Sequence, residues 1–197
     1  VKNKYFELDD LQGERLKARL YSIRFERMHY MKLRNVKQLC GRLPEDNECF
    51  FIETTKSFNA FTFIVYLIKS AGFVEELFIA TYSINQRIIN SLMRWQESGM
   101  IGKIEIRISA TIKFRTPGDY ARLLKLAEEG RITLTLGWTH KKVSCMNTTA
   151  GYFVVEGSGN YGENAMEEQY LFTQNKALYE FRRRIDEIPG SGLGSSG

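Results

Sequence analysis

Three glycines, Gly72, Gly99 and Gly130, each end a stretch of helical spacing and are followed within four residues by an apolar run. Glycine is the residue a helix most readily ends on, because it enters the left-handed C′ conformation without a Cβ clash. The punctuation therefore divides the middle of the chain into alternating elements. "CFFIETT" (49–55) reads as a short apolar strand and 57–72 as a helix with Ser57 as N-cap. Residues 75–84 follow as a strand, and 85–99 as a helix opened by Asn85. "KIEIRIS" (103–109) alternates as a strand. Residues 116–130 form the best-marked helix, with Thr116 as N-cap, Pro117 at its first position and Asp119 three after the cap. Residues 131–139 read as a strand, and 175–188 as a final helix. The order βαβαβαβ predicts an α/β fold with a mixed, largely parallel sheet flanked by helices.

Ahead of this pattern, residues 8–39 read as one long helix. Leu16, Leu20, Ile23, Arg27 and Met31 recur at helical intervals as a stripe interrupted at Arg27, Asp9 and Asp10 favour its start, and Gly41 with Pro44 closes it. The expected organisation is a basic helical extension over 1–43, an α/β domain over 44–188, and a tail, 189–197, set aside as a flexible end or tag remnant. The net charge of +5 is uneven: residues 1–42 hold 11 Lys/Arg against 5 Asp/Glu, so the basic excess points to an anionic partner there. No run reaches eighteen apolar residues, which argues against a membrane partner. Two histidines, no HExxH and no Cys/His cluster argue against a metal site, and no cofactor is expected. Cys40, Cys49 and Cys145, odd in number and widely spaced, read as reduced thiols of a cytoplasmic protein, and "VKNKYFELDD" carries no signal-peptide pattern.

The chemistry concentrates in "HKKVSCMNTTAGYFVVEGSGN" (140–160). If the strand from Arg131 runs on, His140 and Lys142 share a face. A three-residue loop at Thr149-Ala150-Gly151 would pair Thr148 with Tyr152, bringing Lys142 opposite Ser158 and His140 opposite Asn160. The fold-back would gather an anion site. Lys142 supplies charge, Ser158, Asn160 and the Gly157 and Gly159 backbone supply donors to phosphate oxygens, and the imidazole can act as a nucleophile. Either fragment alone reads as a strand-end histidine or a turn; the combination points to a phosphodiester.

These residues resemble the half-motif of the phospholipase D superfamily, H-x-K-x4-D followed by G-S-x-N, and in particular its small, single-motif, dimeric bacterial nucleases. The resemblance implies a phospholipase D-like fold and metal-independent hydrolysis through a phosphohistidine. His140 of one chain would attack phosphorus, and His140 of the other would protonate the leaving oxygen. Lys142 and Asn160 would hold the phosphate with Ser158 in support. Glu168, or Glu167 in second place, would be the acidic residue that orients the histidine. Asn147 stands at the position of the family's supporting aspartate. The basic N-terminal segment favours nucleic acid, DNA or RNA, as the substrate. The alternative reading is a nucleic-acid-binding module of the same fold without turnover, for which Asn147 is the motive.

Overall fold

Seven strands form one mixed sheet in a computed structural model that describes residues 34–55, 58–161 and 167–184. In chain order the elements are β1 (Cys49–Thr55), α1 (Ala60–Ala71), β2 (Val74–Thr81), α2 (Gln86–Glu97), β3 (Ile101–Ser109), α3 (Ile112–Arg115), α4 (Pro117–Glu128), β4 (Thr133–Gly137), β5 (Val143–Thr148), β6 (Gly151–Gly157), β7 (Glu167–Gln174) and α5 (Lys176–Arg183). The strand order across the sheet is β1-β7-β6-β5-β2-β3-β4.

Local chemistry accounts for the helix boundaries. Asn59 caps α1, its side chain accepting from Thr62 N while the Thr62 hydroxyl accepts from Asn59 N, so the cap falls two residues after the expected Ser57. The Asn85 and Asn175 side chains cap α2 and α5 by accepting from Ile88 N and Leu178 N. Gly72 ends α1 at φ 86°. The expected helix over 116–130 starts cleanly at Pro117, but Thr116 makes no side-chain cap bond; a separate turn, α3, precedes it. Of the long N-terminal helix, residues 34–40 are helical and Gly41 follows at φ 67°; residues 1–33 and the tail 189–197 lie outside the described residues. Val36 is fully buried in the main core, so this segment packs on the sheet domain.

The alternation in β3 sends Ile104, Ile106 and Ile108 to one face, where they meet α1, α2 and α4 in the main apolar cluster. Each such large apolar side chain contributes about 1.5–3 kcal/mol when buried. The other face carries a smaller cluster, Phe78, Ala80, Val143, Cys145 and Val154, under Tyr179 of α5. At its edge Arg182 pairs with Glu156, and Arg183 with Glu76 and Glu105.

The sheet is parallel only across β2-β3-β4; β5, β6, β7 and β1 pair antiparallel, which corrects the expected largely parallel sheet. The cause is the link after β4. It comprises residues 138–142 and must pass from β4, at one edge, over the ends of β3 and β2 to β5. Three strand spacings are about 14 Å. Six extended steps reach about 20 Å. So short a link cannot return to the far end of the sheet, and β5 enters at the end where β4 left it and runs the opposite way. The expected strand through His140 and Lys142 therefore stops at Gly137. The hairpin register also differs by one: Thr148 pairs with Gly151 and Asn147 with Tyr152, leaving a two-residue turn at Thr149-Ala150. Gly151, at φ 135°, takes a strand position; the Thr148 hydroxyl closes the turn by donating to the Gly151 carbonyl and accepting from Ala150 N.

Candidate active site

Strand polarity gathers the motif residues. The C-terminal ends of β2, β3, β4 and β6 and the N-terminal ends of β5 and β7 all lie at one end of the sheet. His140 and Lys142 occupy the crossing link, "GSGN" leaves β6, and Glu168 is the second residue of β7, so residues distant in sequence meet there.

The link is held at both ends. Thr139 Oγ1 accepts from Lys141 N, and the Lys142 carbonyl accepts from Gly157 N at 3.2 Å. Lys142 thus stands against Gly157, not opposite Ser158, and His140 is not opposite Asn160, the consequence of the one-residue register change. Lys142 Nζ lies 3.0 Å from His140 Nδ1 and 3.1 Å from the His140 carbonyl oxygen. An ammonium has only donors, so Nδ1 accepts and the neutral ring carries its proton on Nε2. Burial pushes the Lys142 pKa below the ordinary lysine value, while Glu168 and Tyr82 nearby pull it back up. Tyr82 packs against His140 with ring centroids 4.8 Å apart, and the Arg115 guanidinium lies 4.3 Å from the Tyr82 centroid.

The "GSGN" loop is fixed by what glycine permits. A Cβ on Gly157 would stand 2.1 Å from the Gln169 carbonyl oxygen and 2.8 Å from Tyr170 Cδ1, so only glycine lets β6 and β7 close here. Ser158 N donates to the Gln169 carbonyl, and Gln169 N donates back to Ser158 Oγ, both at 3.0 Å. The Ser158 hydroxyl donates to the Glu168 carboxylate. Gly159 is buried. The Asn160 Oδ1 atom is buried with no hydrogen-bond partner among the described residues. A lone buried acceptor costs about 1–3 kcal/mol. Tyr161 is wholly buried, its hydroxyl bonded to that of Ser144 on β5, and anchors the loop's far end.

The sheet end therefore brings together His140, Lys142, Gly157, Ser158 and Glu168. Asn147 is not among them: it sits near the other end of β5, and its Nδ2 donates to Glu75 at 2.9 Å. Glu168 engages Ser158, whereas the His140 ring nitrogen meets Lys142. Glu167 opens β7 opposite Thr55 and is exposed. Sequence reasoning missed Tyr82 and Arg115. Each follows a parallel strand, Tyr82 next to the end of β2 and Arg115 at the end of the short helix α3 after β3, and the carboxyl ends of parallel strands are where α/β folds bind ligands. Among the described residues no three His, Cys, Asp or Glu side chains gather in a way that could hold a metal ion. No described helix is long and apolar enough to cross a membrane, and all three cysteines are free thiols.

No protein-family model and no curated protein sequence matches the chain. Solved structures do. A polyphosphate kinase from Porphyromonas gingivalis superposes with a TM-score of 0.53 at 19% identity, over 76% of this chain and 27% of the kinase. TrmBL2, an archaeal chromatin protein described as having a novel mode of DNA binding, gives 0.53 at 12% identity, over 90% of this chain and 63% of its own. A phosphatidylserine synthase from Haemophilus influenzae gives 0.45 at 13% identity, over 70% and 37%. The chain spans about a quarter of the kinase and under two thirds of TrmBL2. At these identities the likeness is one of fold: the chain has a phospholipase D-like α/β fold.

Proposed function

We propose that the chain is a metal-independent phosphodiesterase, a nuclease acting on DNA or RNA through a phosphohistidine in a site shared by two copies. The observation that carries this reading is the 3.0 Å approach of Lys142 Nζ to His140 Nδ1, beside the Ser158–Glu168 pair, at one sheet end. Binding of a phosphodiester draws Lys142 from the ring to the phosphate oxygens. The ring proton then moves to Nδ1, freeing Nε2 to attack phosphorus. A P–N bond forms, the P–O bond breaks, and the leaving oxygen takes a proton from a second ring, which enters the step as imidazolium and leaves it neutral. Water, deprotonated by that imidazole, cleaves the P–N bond and restores both rings. Lys142 and the amide of Asn160 stabilise the charge on the transferring group. The chain has two histidines, and His29 stands outside the motif, so a second copy supplies the second imidazole across a two-fold axis.

The test is hydrolysis of bis-p-nitrophenyl phosphate and of DNA in EDTA, with His140→Ala doped into the wild-type protein under subunit exchange. A shared site loses activity as the square of the wild-type fraction. A linear loss means that each chain works alone, and activity that disappears in EDTA and returns with magnesium or manganese defeats the histidine chemistry. A second reading, a nucleic-acid-binding module without turnover, is favoured by Asn147 and Glu168. Neither contacts His140: Asn147 is tied to Glu75 and Glu168 to Ser158. Binding without hydrolysis in the same assay selects it.

A further inference from the structure

Two of the largest exposed apolar side chains among the described residues stand at the same sheet end as His140. Phe114 is 87% exposed and Trp138 is 85% exposed. Trp138 is the first residue after β4 and lies in the link that carries His140. Phe114 belongs to α3, next to Arg115, whose guanidinium covers the Tyr82 ring that packs on His140. The roots of the two loops are joined by Ala110 N donating to the Gly137 carbonyl at 2.9 Å. Cations interleave with the rings. Lys113 and Arg115 flank Phe114, and Lys141 and Lys142 follow Trp138.

We propose that Phe114 and Trp138 form a stacking shelf for unpaired bases, so that the polymer held at this site is a single-stranded nucleic acid. The proposal rests on the phosphodiester reading and names its substrate class. Aromatic faces beside a cationic groove are how proteins hold single strands, because every base offers a π-face while the backbone tracks the charge. In a duplex those faces are already stacked on one another and out of reach of a side chain. A membrane surface fits less well: it requires a continuous apolar face with cations at its border, whereas here each ring is separated from the next by charged or hydroxyl residues, as in Lys113-Phe114-Arg115-Thr116 and Trp138-Thr139-His140-Lys141.

The experiment compares the full-length protein with Phe114→Ala, Trp138→Ala and the double variant, binding a fluorescein-labelled oligothymidylate, an abasic strand of equal length and charge, and a duplex. Stacking of about 1–3 kcal/mol per base converts to roughly a 5- to 150-fold change per ring. The wild type should prefer oligothymidylate over the abasic strand by at least tenfold. The double variant should lose that preference while binding the abasic strand and the duplex as before, and Trp138→Phe should retain most of it. Equal loss on all three ligands, or no loss in a variant that melts like the wild type, overturns the shelf. So does a result in which the variants release phosphatidylglycerol vesicles but not oligothymidylate; that outcome assigns the rings to a membrane surface. Because binding is read apart from hydrolysis, an inactive protein that still prefers oligothymidylate defeats the enzyme reading and leaves the shelf standing.

Discussion

Replacing Gly157 by alanine puts a methyl carbon 2.1 Å from the Gln169 carbonyl oxygen and 2.8 Å from Tyr170 Cδ1. Both neighbours belong to β7, and the nearer is backbone, so no side-chain rotation relieves the clash. The strands must part where Gly157 pairs with Tyr170. Overpacking of this kind costs about 1–3 kcal/mol. The two bonds between Ser158 and Gln169 lie in the path of the movement, and each is worth about 1 kcal/mol. A total of about 3–5 kcal/mol follows. For a domain of this size it lowers the melting temperature by roughly 6–20 °C. Thermal and urea unfolding of Gly157→Ala should be measured beside Gly118→Ala, in the first turn of α4, where a Cβ meets nothing within 4 Å. The second variant should be neutral or slightly stabilised. A Gly157→Ala protein within about 0.5 kcal/mol of the wild type, the size of an ordinary surface substitution, would refute the reasoning that close strand approach fixes this residue.

His140→Ala should abolish phosphodiester hydrolysis while unfolding within about 0.5 kcal/mol of the wild type, because His140 is exposed; activity and urea curves from one preparation check both. Tyr161→Phe and Ser144→Ala should each destabilise by about 1–3 kcal/mol by leaving one buried hydroxyl unpartnered, and the double variant should cost less than their sum. Burial disfavours the Lys142 ammonium, so it deprotonates at a lower pH than an ordinary lysine. Affinity for a phosphodiester should accordingly fall as pH rises, starting below the usual lysine range, and Lys142→Arg should move that limb upward in a calorimetric pH series. Nucleic-acid affinity should drop by roughly three orders of magnitude between about 50 and 200 mM salt if the basic N-terminal segment meets about six phosphates. Removing residues 1–42 should flatten that dependence in a filter-binding titration if the remaining chain melts cooperatively.

Much of this architecture is written in short-range chemistry. Asparagine at 85, glycine at 72, 99 and 130, and the alternation of Lys103-Ile104-Glu105-Ile106 act within a turn or two of themselves, and the elements they mark are present. Pairing direction is different, because it depends on how far residues 138–142 must travel, and that distance exists only once β2 and β3 separate β4 from β5. β7 escaped notice because its first residues are Glu167, Glu168 and Gln169; Tyr170, Leu171 and Phe172 become a strand by joining β1 and β6. At the site, the motif residues were legible from spacing. Their bonds were not: Glu168 meets Ser158 only once β7 pairs beside β6, and Lys142 meets His140 in a link that is not strand. Tyr82 and Arg115 belong to no motif and reach His140 only through tertiary packing.

The Thr149-Ala150 turn closes the opposite end of the sheet, and both of its residues are exposed. β5, which runs from the crossing link to this turn, has six residues. At about 3.4 Å each they hold the turn roughly 20 Å from the chemistry. Exposed tips of this kind accept insertions and labels with little effect on the fold. A fluorophore carried at position 150 would therefore leave the His140 end of the sheet intact. Energy transfer between two such labels would act as a ruler for the pairing of copies that the proposed shared site requires.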